Sequence, residues 1–218
     1  MSSVNEDYIT SYIREITPQR TGLLRELEAY ARENNVPIVE PEVGQLLTVL
    51  LKLHKPREIL EVGTAIGYSA LLMAHSLQGD WSITTMERNP QMIARARDNF
   101  KESDFEDRIR IIEGDARETF PHLTKEYDLI FLDAAKGQYM EFLGYAKDLL
   151  KPGGLIVSDN VLYKGMVASD DLVVRRKRTI VNRLREFLDY INNMQGYTSS
   201  VLPLGDGVAL TYKEDKEI

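Results

Sequence analysis

Cysteine is absent from the 218 residues. That excludes a disulfide framework, a thiolate nucleophile and any zinc site built on sulfur. Histidine is scarce, at His54, His75 and His122, and each falls on or near a helical pattern, away from the strand ends. Gly67-Tyr68-Ser69-Ala70-Leu71 approaches the Gly-x-Ser-x-Gly turn of a serine hydrolase. It lacks the last glycine, and no histidine is placed to serve it. No apolar run approaches the roughly 20 residues of a membrane helix. The opening Met1-Ser2-Ser3-Val4-Asn5-Glu6-Asp7 lacks the basic-then-apolar order of a secretory signal. The expectation is a cytoplasmic protein with no membrane contact. Positive charge is also in deficit: 27 Lys and Arg face 34 Asp and Glu, a formal charge of −7. Such a chain is not, as a whole, a nucleic-acid binder, although a local basic strip is compatible with it.

What remains is ordinary globular material, 43% hydrophobic and 28% charged, enough for one α/β domain with a full core. Three helical repeats open the chain. Residues 5–16 space Tyr8, Ile9, Tyr12, Ile13 and Ile16 on one face; 21–34 repeat Leu23, Leu24 and Leu27; 41–54 carry Val43, Leu46, Leu47, Leu50 and Leu51. Pro18 and Pro37 punctuate them. The reading is an N-terminal helical layer over 1–55.

From 56 to 218 the pattern alternates. Strands are expected at 58–62, 81–86, 108–113, 127–132 and 155–158. Helices are expected at 67–77, 90–100 (begun by Asn89), 116–123 and 138–150, the last closed by Pro152-Gly153-Gly154. Alternation with short connections predicts a parallel sheet with helices on both faces. A helix over 173–194 follows. Strands at 197–202 and 208–212 are then joined by a turn at Gly205-Asp206-Gly207, so an antiparallel hairpin ends the sheet. The fold class is α/β, with a mostly parallel seven-stranded sheet in a single domain over 1–218.

Ligands of doubly wound sheets bind at the carboxyl ends of the strands. The first such end is Glu61-Val62-Gly63-Thr64-Ala65-Ile66-Gly67-Tyr68-Ser69. Its glycine spacing is neither that of dinucleotide enzymes nor that of a phosphate-binding loop. Glu61 would repel an anion and suits a cation such as an α-amino group. Glu87 ends the second strand, about 20 residues on, where an acid can hold ribose hydroxyls; Asp115 follows the third. Either alone reads equally as a helix-start acid. Three at successive strand ends point to a ligand with an amine, a ribose and a base.

A second acidic group ends the next two strands, Asp133 with Lys136 and then Asp159-Asn160. Two carboxylates and an amide oxygen are hard ligands suited to Mg²⁺; they would serve equally as helix N-caps. Beside a dication, a partly buried Lys136 is a candidate general base, or else a surface partner of Asp133.

These motifs, in this order from about residue 37 to 212, resemble the class I S-adenosylmethionine-dependent, metal-dependent O-methyltransferases, among them catechol and caffeoyl-CoA O-methyltransferases. The resemblance implies a Rossmann-like methyltransferase fold. Val36-Pro37-Ile38-Val39, Leu60 to Ser69, Phe131 to Tyr139 and Ser158 to Gly165 are similar to the bacterial tRNA 5-hydroxyuridine methyltransferases, which form 5-methoxyuridine at the wobble position. By this resemblance Val39 covers the methionine part of the cofactor. Glu61 and Ser69 hold its amino-acid end, above the turn at Gly63. Glu87 binds the ribose, and Asp115 and Ala116 line the adenine. Asp133, Asp159 and Asn160 bind Mg²⁺, with Asp133 also near the methionine amine, and Lys136 is the base. A homodimer is also implied. Ala135 departs from the acidic residue usual in plant caffeoyl-CoA enzymes, and the late substrate-contacting glutamate of catechol enzymes has no evident counterpart.

A catechol presents two neighbouring oxygens to a metal, and 5-hydroxyuridine does the same through O5 and O4. One chelating site therefore serves either acceptor; the resemblance implies 5-hydroxyuridine in tRNA as the first expectation and small catechol-like phenols as the alternative. Arg175, Arg176, Lys177, Arg178, Arg183 and Arg185 form a basic run that follows the loop leaving the metal site. It reads as a tRNA phosphate contact, or as a solvated helix face or dimer contact. Tyr139 and Tyr163 are candidates to stack on a splayed base, or else pack in the core.

Overall fold

Strands buried on both faces read as near-continuous apolar runs. In the computed structural model, which describes residues 4–215, the apolar runs of this chain become β1 (Glu58–Val62), β2 (Ser82–Glu87), β3 (Ile109–Glu113), β4 (Tyr127–Leu132) and β5 (Leu150–Ser158). The Met1-Ser2-Ser3 portion of the polar N-terminus lies outside the described residues. The five strands are parallel, in the order β3-β2-β1-β4-β5. Strands β6 (Tyr197–Leu202) and β7 (Val208–Lys213) complete a seven-stranded sheet, with antiparallel β7 inserted between β5 and β6. This is the expected fold class.

The period of two divides each strand between two cores. Ile59, Ile83, Leu129, Phe131 and Val157 face one side. There they meet α2 (Gly22–Asn34), α3 (Pro41–His54), α4 (Tyr68–Ser76) and α5 (Pro90–Lys101). Leu60, Val62, Ile130, Leu132 and Ile156 face the other side, under α7 (Tyr139–Leu149) and α8 (Arg178–Asn193). Leu27 and Leu47 belong to the same apolar cluster as Ile59 and Phe131, so α2 and α3 are part of the sheet's core. Helix α4 is buried from Tyr68 to Ala74, as an all-round apolar helix between two layers should be. Asn89 begins α5, its Oδ1 accepting from the amides of Gln91 (2.9 Å) and Met92 (3.4 Å). The first helix, α1 (Asp7–Ile16), buries no residue. Arg14 pins it to α3, donating to Glu42 Oε2 at 2.8 Å and to Glu40 at 2.7 Å.

Four expectations change. Strand β5 starts at Leu150 and includes the Pro152-Gly153-Gly154 read as a helix stop. Tyr127 pairs with Leu150 and Leu129 with Leu155, so 151–154 bulge out opposite Asp128, whose carboxylate takes Lys151 Nζ at 2.7 Å. The helix expected over 116–123 is α6 (Ala116–Thr119) followed by a 3₁₀ turn, because Pro121 lacks an amide donor. The helix expected over 173–194 starts only at Arg178, after extended Val173 and Val174 and a 3₁₀ turn at Arg175–Lys177. The Asp-Gly turn is a five-residue connection, Pro203 to Gly207, bonded to the loop after β5: Leu162 donates to Asp206 O and Val161 to Gly207 O, both at 2.9 Å.

Candidate active site

The chain runs outward from β1 through β2 to β3, then returns to lay β4 on the other side of β1. At such a reversal the loops diverge and leave a crevice at the carboxyl ends. A cavity of about 340 Å³ opens there. Val39, Gly63, Ser69, Glu87, Asp115, Ala116, Asp133, Lys136 and Asn160 all line it. Glu61 and Asp159 lie just behind the lining, 0% and 1% exposed. None of the three histidines lines the cavity, so Ser69 has no base there.

Gly63 shapes the crevice. Its φ is +108°, and a Cβ would fall 2.1 Å from the Asp133 carbonyl oxygen. Only glycine lets the turn after β1 close against the end of β4. The Gly63 and Thr64 amides both donate to Met86 O at 3.1 Å, and the Asp133 amide donates to Val62 O at 3.0 Å.

Glu61 stands opposite Thr85 across β1 and β2. Thr85 Oγ1 donates to Glu61 Oε2 and lies 2.6 Å from Thr64 Oγ1. The other carboxylate oxygen, Oε1, is buried with no hydrogen-bond partner. Burial pushes the Glu61 carboxyl up to about 8, against the hydroxyls of Ser69 and Thr85, and Asp133 and Glu87 add to the rise. A buried carboxylate with an orphaned oxygen calls for a cation.

The acids at the carboxyl ends of β2 and β3 are already engaged. Glu87 Oε2 accepts from the Ala65 amide, and Oε1 from the Arg88 and Asn89 amides, each at 2.9 Å. Asp115 caps α6 through the Arg117 amide and takes the Arg117 and Arg88 guanidinium groups at 2.8 and 3.2 Å. Arg117 above all holds the Asp115 carboxyl well below the usual range. Asp115 therefore borders the cavity while its oxygens serve two arginines.

Across the crevice, Asp133 and Asp159 follow adjacent strands, and the Asp159 amide donates to Leu132 O at 2.9 Å. Burial raises both carboxyls; the Asp133 charge pushes Asp159 higher still, and Lys136 opposes the rise at both. Asn160 donates its amide to Asp159 Oδ1 at 2.6 Å, and its Oδ1 accepts from Lys136 Nζ at 2.7 Å. Among the described residues no three His, Asp or Glu side chains form a metal-ligating group. The candidate donors are thus the two carboxylates and the Asn160 oxygen, hard ligands throughout.

The tyrosines separate. Tyr139 is buried, its hydroxyl donating to Asp159 O at 2.7 Å and Leu132 O at 3.2 Å, so it is packing rather than a stacking face. The Tyr163 ring centroid lies 5.9 Å from Lys136 Nζ and 5.6 Å from Lys177 Nζ. The basic run separates too. Arg183 donates to Gly137 O at 3.1 Å, and Arg185 to Val167 O at 2.9 Å with Asp170 at 2.8 Å. Those two bind the protein's own loops. Arg175, Arg176 and Arg178 are exposed and form no ion pair among the described residues. The sequence reading placed Asp206 in a turn and in a motif shared with the family but gave it no role, and it missed Thr64 and Thr85, which look like ordinary strand and turn residues.

A doubly wound sheet with a carboxylate-lined crevice at its reversal places the chain among the α/β proteins that bind ligands at a topological switch point. Within that class the chain belongs to the O-methyltransferase family, whose model matches residues 14–214. It is 30% identical to caffeoyl-CoA O-methyltransferase 3 of Nicotiana tabacum, over 96% of this chain and 91% of that one. It is 36% identical to a catechol O-methyltransferase of Niastella koreensis, over 61% of this chain and 62% of that one. The crystal structure of the Podospora anserina methyltransferase PaMTH1, bound to SAH, superposes with a TM-score of 0.86 at 29% identity, covering 96% of this chain and 95% of that one.

Proposed function

We propose that the protein transfers a methyl group from S-adenosylmethionine to one of two neighbouring oxygens of a catechol-like acceptor, with a divalent cation such as Mg²⁺. The observation that carries this reading is the pairing of two buried acidic centres in one crevice: Glu61 with its orphaned oxygen, and Asp133 beside Asp159, each carboxyl raised by burial and so calling for a cation to hold its charge. Each fits a cation, the first an α-amino group and the second a hard metal ion. The names of the tobacco and Niastella relatives favour a small phenolic acceptor.

S-adenosylmethionine supplies an electrophilic methyl carbon on a sulfonium, and the divalent cation supplies Lewis acidity toward the acceptor oxygens. Glu61 and Ser69 would hold the amino-acid end above Gly63, with Val39 over the methionine part. Glu87 would take the ribose, and Asp115 and Ala116 would border the adenine. Asp133, Asp159 and Asn160 would hold the cation. Lys136, already on Asn160 Oδ1, would act as the neutral amine and accept the hydroxyl proton as the oxygen–carbon bond forms and the carbon–sulfur bond breaks.

A second acceptor, 5-hydroxyuridine in tRNA, is favoured by Arg175, Arg176 and Arg178, exposed and without ion pairs among the described residues, next to Lys177, which lies against Tyr163. A homodimer is supported by α1, which exposes Tyr8, Tyr12 and Ile16. The test is methyl transfer from labelled S-adenosylmethionine, with Mg²⁺ or with chelator, to a catechol panel and to tRNA carrying 5-hydroxyuridine. Catechols should be methylated only with metal. Lys136→Met should lower kcat by about 10²–10³ while cofactor affinity stays within about twofold. Methylation of the tRNA alone would replace the phenol reading with the second one; no transfer to either with metal present would end both.

A further inference from the structure

We propose that Asp206 is a positioning residue: its carboxylate and carbonyl hold the strap from Asn160 to Lys164 in the one shape that presents Asn160 and Tyr163 to Lys136. The kinetic part of this inference rests on the methyl-transfer reading; the structural part does not.

The strap is strained. Asn160, Tyr163 and Lys164 have φ of 56°, 46° and 59°, so three non-glycine residues within five occupy the left-handed region. Such a residue persists only where its surroundings over-determine it. Two flanking residues of the β6–β7 connection do this. Asp206 Oδ1 accepts from the Lys164 amide, Asp206 O accepts from the Leu162 amide at 2.9 Å, and Gly207 O accepts from the Val161 amide at 2.9 Å. Three amides of the strap therefore end on two residues, and Asp206 takes two of them.

The approach is close enough to require glycine beside it. A Cβ on Gly207 would fall 2.4 Å from Leu162 Cγ, and Gly207 has φ of +90°. The strap in turn sets the crevice. Asn160 Oδ1 receives Lys136 Nζ, and the Tyr163 ring lies within 6 Å of both Lys136 and Lys177 ammonium groups. Asp206 lines none of the cavity itself. Its action is through the strap, as an acceptor that shapes backbone rather than as a group that touches the reacting atoms.

An acceptor oxygen is what this role needs, and asparagine keeps one. Amide hydrogen exchange and steady-state kinetics on Asp206→Ala and Asp206→Asn, each first shown folded by thermal melting, separate the possibilities. In Asp206→Ala, exchange at Leu162 and Lys164 should speed up by about tenfold or more. Its kcat for catechol methylation should fall by about tenfold or more, with the KM for S-adenosylmethionine within about twofold. Asp206→Asn should restore both to within about threefold of the parent. Unchanged exchange in Asp206→Ala would overturn the inference whatever the enzyme's acceptor. So would faster exchange with undiminished turnover, or an Asp206→Asn as defective as alanine with weakened Mg²⁺ activation, which would make Asp206 a charge at the metal instead. If the parent methylates nothing, the methyl-transfer reading fails alone, and the exchange of the strap amides still decides the structural claim.

Discussion

Glu61 concentrates the chemistry of the site in one side chain. Its carboxyl is stripped of water, with Thr85 donating to one oxygen and the other left without a hydrogen-bond partner. The consequence for pH follows from its raised value. The usual carboxyl near 4.5 becomes about 8 in the folded chain. Between those values the folded state holds a proton that the unfolded state has lost, so stability of the ligand-free protein falls as pH rises through that window. Glu61→Gln removes this slope. Its melting temperature should match the parent's at about pH 5 and exceed it by about 3–6 °C at about pH 8.5. Calorimetry should also show S-adenosylmethionine binding weakened about tenfold or more, the worth of one charged hydrogen bond. An identical melting difference at both pH values would mean that Glu61 does not carry a buried charge.

At the scale of elements, the turn between β1 and α4 joins fold and site. It lies against the end of β4 because residue 63 has no Cβ. Gly63→Ala meets both a backbone oxygen and a positive φ, two costs that no rotamer relieves. Urea unfolding should show a loss of about 2–4 kcal/mol, with cofactor binding lost alongside. A variant as stable as the parent would show that the turn can back away from Asp133. Elements were legible wherever periodicity ran long: α2, α3, β1, β4 and the Asn89-capped α5 follow from local pattern and capping chemistry alone. They were illegible where tertiary contact overrode the local signal. Pro152-Gly153-Gly154 stops a helix in isolation, yet here it bulges from a strand because the β4 edge offers pairing on both sides of it. Asp206 reads as a turn residue, since nothing local reveals that its carboxylate meets a strap more than 40 positions earlier in the chain.

Over the whole molecule, the charge balance is uneven. The chain carries −7 in total, but Arg175, Arg176 and Arg178 stand exposed and, among the described residues, without ion pairs, beside Lys177. Charge reversal at Arg175 and Arg176 should leave kcat/KM for a catechol within about twofold. If tRNA is an acceptor, its binding should weaken about tenfold or more, with a shallower salt dependence. An unchanged salt slope would return these arginines to the role of a solvated turn. The described residues contain no helix long and apolar enough to cross a membrane, as the lack of a long apolar run indicated.

By itself the sequence determined the α/β class and the strand ends that carry acids, because period-two and helical patterns are local and strand ends are where such sheets bind. Only the tertiary structure decided which of those residues are free to act. It left Glu61 with an orphaned oxygen, gave Asp115 to two arginines, turned Arg183 and Arg185 inward onto loop carbonyls and brought Asp206 to the strap. The physical reason is that a hydrogen bond or an ion pair depends on which groups meet across the fold, and that meeting is set by packing between segments far apart in the chain.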